Sequence, residues 1–399
     1  MIHPPLAYRS QVDSKPVKAA RVLAGLPDRQ PTLCRRIGLP LGDPAAWISL
    51  PVDDGQATQT IAIVRDLEMD RVASVDEVDQ VKCPADFASE TNPLSGDRET
   101  ATFQALARCL HYASITDVIG DRNLPLIAVN ALADCGIAIH LDDQLGILDR
   151  RTKSSSELSK LREAQRVTEA VMGEVCQWIG RSDTNAEGLL IRDDELVTSE
   201  RVRSLAAMKF LSRGFSLTHG AIVAGPPHAG DCHHAGTGPL RTGTPIIIDL
   251  YPRDDQSRYH GDCTRTVVHG DIPDVVARMH AAVLEAKSAA EPMLTPGRDA
   301  GDVNQIAREV LQRHGYVEQR GEITDQPSIQ HGLGHGIGLE IHEPILLDDN
   351  GGTLLANEVF TVEPGLYGRS TGGVRIEDMV IVTPDGGDNV SELSCDLSW

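Results

Sequence analysis

The sequence predicts an α+β protein of two domains, and three observations carry that expectation. Its strand-like segments come in bunches instead of alternating regularly with helices. One long amphipathic helix divides an opening stretch of mixed helix and strand from everything that follows. The 399 residues are many for one domain and few for three, at about 100–200 residues per domain.

In the opening stretch, TQTIAIVRDLEM alternates apolar residues as a strand does. From Lys82 to Asp97 the chain is rich in Pro, Ser, Asn and acids and reads as an irregular surface connection. Phe103, Leu106 and Leu110 have helical spacing, and Asp121 to Ile139 reads as a strand or turn, a helix and another strand. The polar segment RRTKSSSE then offers Ser155 or Ser156 as a helix cap. Behind it Leu158, Leu161, Ala164, Val167, Val171, Val175 and Trp178 line one helical face that ends near Gly180. This places the domain boundary between 1–150 and 151–399. Further helices are expected from Val275 to Ala290 and from Val303 to Arg313, the latter ended by Gly315. Strands are expected at Pro245 to Tyr251, Arg265 to Val268, Glu358 to Glu363 and Val374 to Val382.

Composition narrows the function classes. With 41% hydrophobic and 24% charged residues the chain can bury an ordinary core. Apolar runs such as Pro245 to Leu250 fall far below the ~18 residues a bilayer helix requires, so no membrane span is expected. The formal charge of −21, from 37 basic and 58 acidic residues, opposes nucleic-acid binding. MIHPPLAYRS has no basic stretch followed by an apolar core, which argues against a secretory signal. Eight scattered cysteines without a CxxC pair point to reduced thiols and a cytoplasmic location.

The chemistry lies in acids placed inside apolar strands. In PIIIDLY, Asp249 follows three isoleucines, and an unpaired carboxylate buried there costs several kcal/mol. GDCTRTVV sets Asp262 at a strand entry, with Thr264 and Thr266 on its face. FTVEPG ends a strand on Glu363, and GGVRIEDMVIV puts Glu377 inside one with Arg375 on the same face. Taken singly, Asp249 also fits an acid paired with an arginine, Asp262 a turn residue beside Gly261, Glu363 a strand-ending turn and Glu377 a partner of Arg375. Together, four converging carboxylates repel one another and call for cations, which two divalent metals would supply. Between the two acid pairs lies HGLGHGIGLEIHEP, with His331, His335 and His342. Its glycines disfavour a helix, so it reads as a loop placing imidazole. A second histidine cluster, His219, His228, His233 and His234, lies upstream in a Gly- and Pro-rich loop.

The joint order of IIIDLY, GDCTRTVV, GHGIGLEIHEP, FTVEPG and GGVRIED resembles the pita-bread metallopeptidases, which include Xaa-Pro dipeptidase (prolidase), Xaa-Pro aminopeptidase and methionine aminopeptidase. The match spans roughly 151–399. The first 150 residues resemble the creatinase-type N-terminal domain in size, position and phrases such as IAIVRDLE, which favours the proline-directed branch. The resemblance implies a curved, largely antiparallel sheet with flanking helices, preceded by a smaller α/β domain. It implies metal ligation by Asp249, Asp262, His335, Glu363 and Glu377, with Asp262 and Glu377 bridging two ions. It implies Glu363 as proton shuttle, His342 and His233 as catalytic donors, and His331, Arg375 and His234 as substrate-binding residues. An ungapped match puts Cys232 where the family has its upstream histidine, and His233 is the preferred candidate. The oxygen-rich ligand set suits Mn²⁺ first, then Co²⁺ or Zn²⁺. The implied activity is hydrolysis of Xaa-Pro bonds in small peptides by a homodimer. The alternatives are a metal-dependent relative acting on a non-peptide small molecule, or a catalytically silent binding scaffold.

Overall fold

The computed structural model describes residues 19–52 and 57–399. The N-terminal decapeptide on which the secretory reading rests lies outside them. The chain divides into two compact units, Met1–Arg150 and Arg151–Trp399.

The first unit is built on a six-stranded mixed sheet. Ala20–Gly25 pairs antiparallel with Ala45–Val52 on one side and parallel with Asp117–Gly120 on the other. Ala57–Ile63, Gln80–Lys82 and Ala138–Leu141 complete it. The expected helix is Arg98–Tyr112, started by Asp97, whose carboxylate accepts from Thr100 N at 2.9 Å. Phe103, Leu106 and Leu110 from this helix bury against Val22, Ile48 and Ile63 of the sheet. The opposite face is covered by Leu33 and Ile37 packed on Trp47 and Ala62. The segment expected to be irregular from Lys82 contains a short 3₁₀ turn, Pro84–Phe87.

The second unit opens with the helix Ser155–Gly180. Its cap is Ser154, one residue before the two serines expected. Ser154 Oγ accepts from Glu157 N while Glu157 returns a bond to Ser154 N, a reciprocal arrangement that Ser155 or Ser156 could not make with this glutamate. Ala164, Val167, Val171 and Val175 pack onto Ile246, Ile248 and Val267 of a three-stranded antiparallel sheet, Ile222–Ala224, Pro245–Leu250 and Cys263–Val268. A five-stranded antiparallel sheet runs in the order Glu343–Leu347, Gly334–Gly336, Val359–Val362, Asp378–Thr383 and Gly386–Asn389. The helices Asp274–Ala290 and Ala300–Arg313 cover a core that includes Phe360, Leu366, Val374 and Val380.

Two expectations change here. The strand expected from Val374 to Val382 is two strands, Gly372–Arg375 and Asp378–Thr383, which belong to different sheets. Glu377 lies at the break between them, where its backbone N–H donates to Thr264 O at 3.1 Å instead of to a ladder partner. The HGLGHG segment is not all loop either. Gly334–Gly336 is a short strand between two neighbours, and Gly334 must be glycine because a Cβ there would lie 2.0 Å from Thr361 O.

The turn after this strand is held from below by Lys153. Its ammonium bonds Glu343 Oε2 at 2.9 Å, with the two side chains 3% and 2% exposed. Removing one partner of such a buried pair leaves an uncompensated charge. Lys153→Met is therefore expected to cost ~3–5 kcal/mol, read from the midpoint of urea unfolding, whereas Lys153→Met combined with Glu343→Leu recovers most of that loss.

Candidate metal centre

Asp249 comes from the last turn-ward end of a strand that is buried throughout, Pro245–Leu250. Antiparallel register sets it opposite Thr264, two residues beyond Asp262. Asp262 precedes Cys263–Val268, and its N–H donates to Gln165 Oε1 on the long helix at 3.0 Å. Gly261 makes that approach possible, since a Cβ there would lie 2.2 Å from Thr168 Oγ1. His335 sits in the middle of Gly334–Gly336, with its N–H bonded to Thr361 Oγ1 at 3.1 Å. Glu363 follows Val359–Val362 directly.

These strands converge. One ligand atom each from Asp262, His335 and Glu377 lies within 4.8 Å of the others, and all three residues are buried. His335 Nε2 is 3.8 Å from Asp262 Oδ2 and 3.6 Å from Glu363 Oε1. Glu363 is the most open of these acids, with its side chain 17% exposed. Asp249 joins through Arg375, whose Nη2 is 2.6 Å from Asp249 Oδ2 and whose Nε is 3.9 Å from Glu363 Oε2. Arg375 thus partners Asp249, while Glu377 Oε2 accepts instead from Thr264 Oγ1 at 2.7 Å.

The electrostatics follow from burial and crowding. Asp262 and Glu377 have pKa values far above the ordinary carboxylate range. Desolvation is the main cause for both, and repulsion from neighbouring acids adds to it. Asp249 is raised by burial, against the pull of Arg375. Glu363 is pushed up to about 7, chiefly by desolvation. His335 is pushed down to about 3 by burial and then by His342, so it is a neutral imidazole with Nδ1 3.1 Å from Gly336 O and Nε2 facing the acids. Asp249 Oδ1 and Asp262 Oδ1 are buried with no hydrogen-bond partner. Native proteins seldom leave such oxygens bare, and a cation among them satisfies both. Four carboxylates and a neutral imidazole around these orphan atoms fit a divalent metal by donor chemistry.

The remaining expected residues separate. His342 is solvent-accessible, its ring 4.3 Å from that of His335 at 73°, and partial shielding together with His233 lowers its pKa. His233 is exposed, and it contributes to the lowered pKa of both His331 and His342. His234 turns elsewhere: it stacks on His228 at 4.2 Å and its Nδ1 accepts from Gly236 N. His331 is engaged at both nitrogens, Nδ1 with Gly332 O at 2.7 Å and Nε2 with Tyr367 OH at 2.6 Å. Arg375 is spent within the protein, on Asp249, Thr264 Oγ1, Tyr367 OH and Cys232 O. The Cys232 side chain packs against an apolar cluster with Ile247 and Tyr367, and burial raises its thiol pKa.

Two supporting residues were missed. Tyr367 links Arg375 to His331 from the strand Gly365–Gly368, where nothing in the sequence marks it. Arg265 is fully buried and donates to Glu377 O at 2.7 Å, Thr264 O at 2.9 Å and Asp378 Oδ1 at 2.9 Å. Its signal was legible: an arginine in the middle of the apolar strand CTRTVV needs buried acceptors.

The pattern of Metallopeptidase family M24 matches residues 159–384. The probable dipeptidase PepE of Mycobacterium tuberculosis is 30% identical over 301 residues, 72% of this chain and 73% of its own. The prolidase structure from Pyrococcus horikoshii superposes with a TM-score of 0.74 at 21% identity, covering 95% of both chains. The X-Pro aminopeptidase structure from Thermotoga maritima superposes at 0.76 and 21%, covering 96% of this chain and 97% of that one. The chain belongs to metallopeptidase family M24. Its fold is the α+β pita-bread fold expected from the sequence. It is therefore an enzyme of peptide hydrolysis that uses divalent metal. Among the described residues no helix is long and apolar enough to cross a membrane.

An acid whose folded pKa is raised stabilises the fold below its unfolded pKa, and that contribution is lost as pH rises through the folded value. Depressed histidines act oppositely, but His335 and His331 are neutral in both states above their ordinary value of 6.5. From about pH 6.5 to 8 the raised acids dominate. The melting temperature of chelator-stripped protein should fall across that window by differential scanning fluorimetry, and Mn²⁺ should abolish the fall by neutralising the cluster.

Proposed function

We propose that this protein hydrolyses Xaa-Pro bonds in small peptides, as a prolidase or an aminopeptidase P does. The observation that carries the reading is the convergence of Asp262, His335 and Glu377 beside Asp249 and Glu363. The names of its relatives support the substrate class. Asp249, Asp262, His335, Glu363 and Glu377 are the ligands of two divalent ions, Mn²⁺ before Co²⁺ or Zn²⁺, because oxygen donors outnumber the single imidazole. Such ions supply Lewis acidity for the scissile carbonyl and bring the pKa of water towards neutrality.

The protein's own groups do the rest. Glu363, the most accessible acid, takes the proton of the attacking water and returns it to the leaving nitrogen. His342 and His233 stand on the open side and donate to the carbonyl oxygen as negative charge develops there. Arg375 orients Asp249 and favours its ionised form against the effect of burial, and the Thr264 hydroxyl acts on Glu377 in the same sense. Tyr367 and His331 brace Arg375 behind the site. The first unit is assigned as a creatinase-like domain and 151–399 as the catalytic domain. The eight cysteines, none of which forms a disulfide among the described residues, support a cytoplasmic location, and a homodimer follows from the family resemblance.

After Mn²⁺ loading, Gly-Pro or an Xaa-Pro-Xaa tripeptide should be cleaved in preference to a Met-initiated peptide lacking proline, measured by released amino acid. Loss of all Xaa-Pro hydrolysis in metal-replete protein would overturn the reading. His342→Ala should retain its metal and lose about 10²–10³-fold in kcat, the effect of removing one oxyanion donor. Glu377→Ala should instead lose metal outright, read by atomic absorption after gel filtration.

A further inference from the structure

Building on the Xaa-Pro reading, we propose that His219 is a specificity-determining residue that selects peptides presenting a carboxylate to the rim of the site. His219 is exposed in the turn between the strands Phe215–Ser216 and Ile222–Ala224. Both strands fix that turn against the site. Ile222 lies opposite Asp249 in the antiparallel ladder, so the turn opens three residues from the register position of an acid of the cluster. Phe215 and Ser216 pair with Asp254 and Arg253, and Ser216 Oγ donates to Asp255 Oδ1 at 2.7 Å. Arg253 and Asp254 belong to the excursion that separates Asp249 from Asp262. It is the same stretch in which Arg253 bridges to His260 and His260 N donates to Gly338 O at 2.9 Å. The excursion therefore spans from the His219 turn to the turn that carries His342.

Across this wall the His219 ring lies 6.2 Å from the His260 ring, tilted by 48°. Thr218 Oγ1 is 3.0 Å from His219 Nδ1. With the hydroxyl donating to Nδ1, Nε2 carries the proton and is the donor. The side chains that act most strongly on His260 are basic ones, Arg253, His219 and Arg258. His219 and His233 both bear on His342. The floor of the site is acidic and takes metal, whereas this side of its rim offers nitrogen donors. A carboxylate is the acceptor such donors bind most strongly, because the bond is charge-assisted. Two parts of a peptide could supply it, the C-terminus of a dipeptide or the side chain of an acidic residue.

The test compares Ala-Pro, Ala-Pro amide and Asp-Pro amide on the Mn²⁺-loaded full chain, for wild type, His219→Ala and His219→Lys. Wild type is expected to favour at least one carboxylate-bearing substrate over Ala-Pro amide by about tenfold in kcat/KM, expressed in KM. His219→Ala should bring that ratio close to one, and His219→Lys, which restores a nitrogen donor to the carboxylate, should recover it. A merely structural role would lower kcat for all three substrates alike and would not be rescued by lysine. Preference for Ala-Pro alone assigns the contact to the peptide C-terminus, and preference for Asp-Pro amide alone assigns it to an acidic side chain. A ratio unchanged in His219→Ala, or no preference in wild type, overturns the inference while leaving Xaa-Pro hydrolysis standing. No hydrolysis of any of the three removes the Xaa-Pro reading and this assignment with it.

Discussion

The constraint on which the rest of the structure depends is the repulsion among carboxylates held in a buried cluster. Asp249, Asp262 and Glu377 are each almost fully removed from water, and Glu363 borders them. Without compensation their burial would cost several kcal/mol apiece. The protein compensates part of it with fixed groups, Arg375 on Asp249 and Thr264 Oγ1 on Glu377. The two orphan oxygens mark what the protein alone leaves undone. Raised pKa values and an unmet demand for cations are thus one physical fact, and metal dependence follows from it.

Rigid elements hold this unfavourable arrangement together. The acids stand on or beside antiparallel strands covered by helices, so they cannot relax apart by local motion as they could on loops. Glu377 shows how tightly this is arranged. It occupies the step where the chain leaves one sheet and enters another, with its carbonyl held by the buried Arg265 and its N–H by Thr264. Arg265 in turn pairs with Asp378, which also meets Lys287. A second layer of charge beneath the cluster therefore sets the position of its central acid. The imidazoles divide between the two levels: His335 is buried and His331 half-buried with both nitrogens engaged, while His342, His233 and His219 are open to solvent. A site with an acidic floor and a donor rim suits water as the nucleophile, so no serine or cysteine needs activation, and the buried thiols around it are raised in pKa.

Much of this was legible in the order of residues, for reasons that differ from one position to the next. The long helix, its partners and the strand carrying Asp249 follow from periodicity, because burial on one face imposes a repeat that a single sequence displays. The acids were conspicuous because a charge inside an apolar strand contradicts its surroundings. Boundaries and partners were less legible. Ser154 caps the helix in place of its neighbours because only it stands three residues before Glu157. Alternation put Arg375 and Glu377 on one face of a continuous strand, but the strand breaks between them, and the arginine reaches Asp249, 126 positions away. His233 and His234 are adjacent in sequence and part company in space, one exposed to solvent and the other stacked on His228.

By itself, then, the sequence determined which segments become strands and helices, and which side chains would be intolerable in them without a cation, since both depend on local pattern and on the cost of desolvating charge. Tertiary structure alone decided which acid Arg375 pairs with, that Tyr367 and Arg265 brace the centre, and that the His219 ring stands 6.2 Å from that of His260. Those outcomes depend on register between strands far apart in the chain, and the energies that set register are summed over contacts no local window contains.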